Sequence, residues 1–578
     1  MSRSNLITRS PNPETTRRTS FLQHSREHLL SLHPVGLACA LLFYTWSLTP
    51  SLLPRMWYFQ ALATGISLAT GYGLGVLGVR IWWWAGFTWQ PPARWRRIGW
   101  WVLGILALVL IPLFSVLGAQ WQWEIRELVD APRDSRGFYV LVLLLAALIA
   151  ALLIAVGRAI GRFLGWLNHQ QRRILPRPLA RLGTVVLMVL LVWVLINGLL
   201  IQGVLAVAER SAGPVDQTTR EGIEQPRNPE RSGSPDSAQA WESLGRDGRG
   251  FIGTGPDEAE IAQVTGRAAI EPIRVYAGVD SADSVEGIAE NAVAELLRTR
   301  GLDRTALLVV TTTGRGWVNE AGAESFEYLH GGDSAIISMQ YSHLQSPMAF
   351  LADRETPLEA GRVLLEKVFE QWSQLPEGDR PELYVMGESL GSYGAQGAVG
   401  SAQGMINQLD GGLLIGTPNF AEPWNRLTEE RDAGSLERLP VVDAGQHIRF
   451  AERAGDLEVP TAQWEAPRFV FWQHSGDPVT WWSFSLLLNR PDWLAEEPGP
   501  WVHPGMRWLP FVTFWQVTAD MALSLGVPTG YGHNYGEEAV RLWVRILEPA
   551  DWEEADTARV MEAIRDPDEG VTPLGEFY

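Results

Sequence analysis

Five long apolar runs occupy the first 208 residues of the chain: Val35–Leu53, Trp57–Val79, Gly99–Ala119, Phe138–Gly157 and Leu182–Val207. Each holds about the ~20 residues that an α-helix needs to cross ~30 Å of hydrocarbon. Buried helices of a soluble core are the alternative, but Val140–Val156 carries no charge at all, which fits lipid better. A signal peptide also fits poorly, because 34 residues precede the first run and four more runs follow it. From Ile273 the pattern changes. Short β-branched runs (Ile273–Gly278, Ala306–Thr312, Ser334–Gln340, Glu382–Gly387, Gly412–Ile415 and Arg468–Trp472) alternate with helical stretches at Ser284–Arg298, Leu358–Trp372, Leu390–Ala398 and Glu537–Leu547. That alternation predicts a mostly parallel sheet with crossover helices. Residues 209–255, rich in Pro, Gly, Ser, Arg and Glu, bury too little apolar surface to offset chain entropy. They read as a flexible linker whose end, Trp241–Gly255, docks on a domain. The expected plan is an Arg-rich tail (1–34), an α-helical transmembrane bundle of about five spans (35–208), the linker (209–255) and an α/β domain (256–578).

Charge divides along the same line. Up to residue 208 there are 19 arginines, no lysine and six carboxylates, a net +13; the remainder holds 28 basic and 59 acidic residues, a net −31. A basic half in contact with the lipid bilayer and an acidic soluble half follow, and the acidic half excludes a nucleic-acid partner, which would need a basic surface. The arginines collect in the tail (Arg3, Arg9, Arg17, Arg18, Arg26), between the second and third runs (Arg80, Arg94, Arg96, Arg97) and between the fourth and fifth. Arg-rich segments stay cytoplasmic, so the tail lies inside and five crossings place the C-terminal half outside the cell membrane. Trp82, Trp83, Trp84, Trp100 and Trp101 cluster at the cytoplasmic interface, a level that indole rings favour. Gly71 and Gly75, and likewise Gly157, Gly161 and Gly165, have the spacing that lets helices approach closely. Cys39 is the only cysteine. That removes an intrachain disulfide and a Cys-based zinc site, and no metal or organic cofactor is implied.

The chemistry centres on Gly387-Glu388-Ser389-Leu390-Gly391, a G-x-S-x-G match. In a chain with 57 glycines such a match is weak alone. Its setting strengthens it: the strand-like Leu383–Met386 precedes it and a helix-compatible segment follows, as in a nucleophile elbow. The plainer reading makes Ser389 a helix N-cap. A serine nucleophile needs a base and a group to orient the base, in the chain order Ser, Asp, His on such a fold. Asp477 follows the apolar strand Arg468–Trp472, where an orienting carboxylate belongs, whereas Asp443 and Asp456 lack a strong preceding strand. His533, in Gly530-Tyr-Gly-His-Asn-Tyr-Gly536, is the expected base; His503 and His474 compete, and His474 reads as local structure beside Asp477. The oxyanion donors are expected at the N–H of Leu390 and at Thr313, in the loop Thr311–Trp317. A glycine-rich turn without catalytic contact is the alternative there. The 55 residues between Asp477 and His533 hold six tryptophans. They form either a cap over an apolar cleft or ordinary core packing.

Ser51-Leu-Leu-Pro-Arg55, Thr311-Thr-Thr-Gly-Arg-Gly-Trp317, Gln340-Tyr-Ser342 and Gly387-Glu-Ser-Leu-Gly391 occur together behind a multi-span N-terminal domain. This combination resembles the bacterial membrane-anchored α/β-hydrolase family, over nearly the whole chain. The resemblance implies an α/β-hydrolase catalytic domain with Ser389 at the nucleophile position, and no settled substrate. The expected activity is that of a membrane-anchored serine hydrolase cleaving a small-molecule, lipid or cell-envelope ester. An acyltransferase on the same fold and a non-catalytic membrane scaffold are the alternatives.

Overall fold

The computed structural model describes residues 32–87, 89, 91–133, 137–194, 202–460 and 462–565. The Arg-rich tail up to residue 31 and the middle of the expected fifth span lie outside the described residues.

Among the described residues, three helices are long and apolar enough to cross a membrane: Trp57–Trp84, Ala93–Leu128 and Phe138–Gln171. The first expected span forms only the 14-residue helix Pro34–Ser47, about 21 Å at 1.5 Å per residue. It ends early because Thr49-Pro-Ser-Leu-Leu-Pro-Arg55 turns away to meet the C-terminal half. The expected fifth span is represented by Arg177–Trp193 and Gln202–Asp216, on either side of undescribed residues. Gly71 and Gly75 serve close packing: a Cβ on Gly71 would lie 2.7 Å from Phe43, and one on Gly75 would lie 2.9 Å from Cys39 Sγ. Gly157, Gly161 and Gly165 meet nothing within 4 Å among the described residues. Trp82–Trp84, Trp100 and Trp101 are exposed, as interfacial indoles are.

The C-terminal half is built on a seven-stranded sheet: β1 Ile273–Ala277, β2 Ala306–Thr311, β3 Ser334–Met339, β4 Glu382–Glu388, β5 Gly411–Ile415, β6 Ile448–Ala451 and β7 Arg468–Trp472. Its order is β1-β3-β2-β4-β5-β7-β6, and every pair runs parallel. A parallel sheet must be covered on both faces, because its crossovers lie there. Helices Val285–Arg298, Thr356–Trp372 and Leu390–Val399 pack on one face, with Leu364, Val368 and Ala395 against Leu307, Val309 and Val385. Glu320–Leu329 and Glu538–Leu547 cover the other, where Phe326 and Trp543 meet Tyr384 and Met386. Strand β6 does not stand out in the apolar pattern. Its Arg449 reads as polar surface, yet it is buried, and its guanidinium donates to the carbonyls of Gly445, Leu457 and Ala462.

The segment expected as a flexible linker is packed instead. It holds to the sheet by polar bonds where apolar area is lacking. Ser232 N–H donates to Arg274 O (3.0 Å) and Arg274 N–H donates to Glu230 O (3.2 Å), which extends the edge of β1. Arg231 donates to the carbonyls of Ile252, Thr254 and Pro256. Glu295 accepts from Ala238 N–H at 2.6 Å and from the Ser237 hydroxyl at 3.0 Å.

Arg274 and Glu327 form a bidentate pair at 2.7 and 2.6 Å with both side chains fully buried. Removing one partner strands a buried charge, which costs about 3–5 kcal/mol. Arg274→Met is therefore expected to lower the free energy of unfolding, extrapolated from a denaturant titration, by that amount. Arg274→Met combined with Glu327→Leu is expected to recover much of the loss, which comparison of the two unfolding curves measures.

Candidate functional site

Ligands on open parallel sheets bind beyond the C-terminal strand ends, and the residues singled out in the sequence gather there. Ser389 sits between β4 and helix Leu390–Val399 at φ 55°, ψ −119°. For a residue with a side chain this backbone costs on the order of 1–3 kcal/mol, and it persists only where the surroundings impose it. Two contacts impose it. A Cβ on Gly387 would lie 2.4 Å from the Gly391 backbone, and one on Gly391 would lie 2.2 Å from Thr311 O. The turn can close only with hydrogen at both positions, which explains the two glycines of the motif.

The Ser389 N–H donates to Ile415 O at 3.0 Å, tying the turn to the end of β5. The next residue, Gly416, supports the imidazole of His533: a Cβ there would lie 2.6 Å from His533 Cε1. His533 therefore rests on the strand end adjacent to Ser389. Its Nδ1 is 2.6 Å from Asp477 Oδ2, and its Nε2 is buried with no hydrogen-bond partner among the described residues. Asp477 is fully buried just beyond β7. It also accepts from Tyr535 Oη (2.8 Å), Val479 N–H (2.8 Å) and Thr480 Oγ1 (3.3 Å). Burial alone would lower the His533 pKa, but the Asp477 carboxylate and its hydrogen bond, with Glu388 beside them, raise it above the ordinary value.

Three neighbours had no signal of their own in the sequence. Glu388, the first x of the G-x-S-x-G match, is buried and pushed up to about 7, by burial first, against the pull of His533 and a hydrogen bond from Asn319. That bond, from Asn319 Nδ2, is 2.6 Å long. Tyr535 follows His533 by two residues, so its ring reaches the same side of the loop. It stacks on His474 at 4.1 Å between ring centroids. His474 itself is held neutral, its pKa lowered to about 4 chiefly by burial; its Nδ1 lies 2.9 Å from Gly532 O, so it supports the His533 loop. The other competitor, His503, lies away from this group, with Nε2 2.9 Å from Glu124. Asp456 does follow a strand, β6, but its carboxylate accepts from the N–H groups of Glu452 and Arg453 and closes that turn. Asp443 lies in a 3₁₀ turn ahead of β6.

Of the expected oxyanion donors, Leu390 opens its helix, so its N–H has no intrahelical acceptor. Thr313 differs from expectation. Its N–H already donates to Trp317 O at 3.1 Å, because the loop Thr313–Trp317 closes on itself. The neighbouring Thr312 peptide flanks Gly391, and its N–H makes no hydrogen bond among the described residues. Among the described residues, no group of three or more His, Cys, Asp or Glu side chains could hold a metal ion.

Of the two readings of the tryptophan-rich segment, core packing describes most of its indoles. Trp481 and Trp493 are core residues, and Trp482, Trp508 and Trp515 pack against that core. Helix Val512–Met521, in the same segment, docks on the N-terminal helices: Gln516 Nε2 donates to Thr49 O at 2.9 Å, and Asp520 pairs with Arg55 at 2.6 Å.

No curated protein and no solved structure is significantly similar to the chain. Two family models match it: one described as the alpha/beta-hydrolase family N-terminus, over residues 48–256, and one described as the alpha/beta-hydrolase family, over residues 273–560. Together they span the packed linker, the parallel sheet and the elbow at Ser389, and the chain belongs to this alpha/beta-hydrolase family.

Proposed function

We propose that the protein is a membrane-anchored serine hydrolase that cleaves a carboxylic ester through an acyl-enzyme. Ser389 is the nucleophile, His533 the base and Asp477 the residue that fixes the imidazole tautomer. One observation carries the reading: a buried His–Asp pair at 2.6 Å rests on Gly416, beside a strained serine turn. His533 Nε2 takes the Ser389 proton as the hydroxyl attacks the carbonyl, and returns it to the leaving alcohol. Water then repeats the attack and releases the acid. The Leu390 N–H and the open N–H of Thr312, in place of Thr313, receive the oxyanion.

The substrate is an ester with an apolar acyl part, from lipid or the cell envelope. Leu390 packs in one apolar cluster with Leu344, Ala349 and Leu205, and Leu205 comes from the helix that leaves the membrane domain. One turn along from Ser389, the ring of Tyr393 meets Phe420 at 5.4 Å, and Phe420 stacks on Phe350 at 4.6 Å. The hydrolase domain stands on the outer side of the membrane. Its contacts include those from the loops bearing Arg55 and Asp130. Arg80, Arg94, Arg96 and Arg97 lie at the opposite ends of the same helices, as the preference for arginine inside requires.

A membrane-impermeant fluorophosphonate probe applied to intact cells tests chemistry and orientation together. Wild type is expected to label and Ser389→Ala not; equal labelling of the two sinks the proposal. Asp477→Asn is expected to lower kcat by on the order of 10⁴-fold with KM little changed. The reaction needs neutral His533, so the rate falls as pH drops through its raised pKa, and the acid limb lies above the pH at which an ordinary imidazole titrates. Glu388→Gln removes a negative neighbour that raises the His533 pKa, so its acid limb is expected at lower pH than wild type in a labelling-rate profile.

A further inference from the structure

The motif Ser51-Leu-Leu-Pro-Arg55 has no place in the chemistry above, yet it is buried between the two halves of the molecule. Leu52 and Leu53 are wholly inaccessible and belong to the main core of the hydrolase domain. Three groups of the motif converge on one carboxylate, Asp520: Arg55 Nε at 2.6 Å, Leu52 N–H at 3.1 Å and Ser51 Oγ at 3.3 Å. Arg55 is itself held from the helical side, its N–H donating to Gln122 Oε1 (2.7 Å) and its Nη1 to Gln60 Oε1 (3.0 Å).

Asp520 lies at the end of helix Val512–Met521, and from there the path to His533 is short. Leu523 N–H donates to Asp520 O at 2.9 Å, and His533 N–H donates to Ser524 O at 3.0 Å. Gly532 has room for hydrogen only: a Cβ would lie 2.9 Å from Val527, 3.0 Å from Ser524 O and 3.3 Å from Leu53 Cδ1. Tyr531 Oη donates to Asp130, at the outer end of the helix Ala93–Leu128. The backbone that carries the base is thus held at Asp520, Tyr531 and Gly532, each time by a residue of the helical domain.

We propose that the Ser51–Arg55 loop is a positioning element of the active site: through Asp520 and Leu53 it sets where segment 520–533 holds His533 over Gly416. It rests on the reading of His533 as base. The helical domain is then a part of the enzyme that completes the site from below. Arg55, Leu53 and Asp520 touch no substrate; they act through the imidazole.

The test uses the full-length protein in detergent micelles or nanodiscs, as wild type, Arg55→Lys, Arg55→Met, Leu53→Ala and Arg133→Gln. Arg133, in an exposed pair with Glu127, is the control. Two readouts are taken: the fluorophosphonate labelling rate of Ser389 against pH, and amide hydrogen exchange of peptides covering 520–536 and 382–399. Arg55→Met and Leu53→Ala are expected to speed exchange in 520–536 at least tenfold while 382–399 stays protected. Labelling is expected to fall ten- to a hundredfold. Its acid limb is expected to move to lower pH, because His533, which faces Asp477, Glu388, His474 and Tyr535, drifts from the carboxylate that raises it. Arg55→Lys is expected to recover much of the rate, since it keeps the charge on Asp520. If Arg55→Met does not fold, Arg55→Lys and Leu53→Ala decide. Unchanged exchange in 520–536 with an unmoved pH limb in folded variants overturns the inference. Should wild type fail to label, the hydrolase reading falls, and the exchange data alone still decide whether the loop holds the His533 segment.

Discussion

A fully buried carboxylate must be surrounded by donors, and Asp477 draws four of them from two separate stretches of chain. Val479 and Thr480 are local and fix the carboxylate at the end of β7. His533 and Tyr535 arrive from more than fifty residues away and would have no reason to approach without it. An unpaired ion at this depth would be far too costly. The 55-residue excursion between Asp477 and His533 must therefore return to the same point. Its own tryptophans give it enough apolar mass to fold against the sheet on the way.

The alternation of β-branched runs and helices made six of the seven strands legible, because a sheet buried on both faces is apolar at nearly every position. It fails at β6, where the hydrogen-bonding needs of buried Arg449 are met by carbonyls that only the folded chain brings near. The three residues of the proposed triad were each readable, since elbow glycines, strand ends and a glycine-flanked histidine are local features. Glu388, Asn319 and Tyr535 were not, because their positions follow from contacts between distant segments. Thr313 departs from the expectation for a similar reason: small residues permit a close approach to substrate, but whether an amide is free depends on how its own turn closes. The number of crossings was the least legible quantity. Hydropathy extends the first run to Leu53, yet Leu52 and Leu53 are apolar because they enter the hydrolase core, not lipid.

Composition likewise misled about residues 209–255. Low apolar content argues for disorder when hydrophobic burial is the only source of stability. Here Arg231, Arg249 and Glu295 bind backbone groups directly, so each charged side chain fastens several turns of irregular chain. The same device recurs in Arg274 and Arg449, and the hydrolase half uses its arginines as internal braces as well as surface charge.

That bracing fixes a length. Between Asp216, where the helix Gln202–Asp216 ends, and β1 the chain is packed and leaves the α/β half no slack to drift on, and the Arg55–Asp520 pair holds it from a second side. On the proposed reading, the mouth of the site stands at one height and one tilt above the lipid, like a tool clamped to a bench. For the hydrolase proposed above, the bonds within reach would then be set by how far a molecule protrudes from the bilayer, and two esters of identical chemistry at different depths would be different substrates.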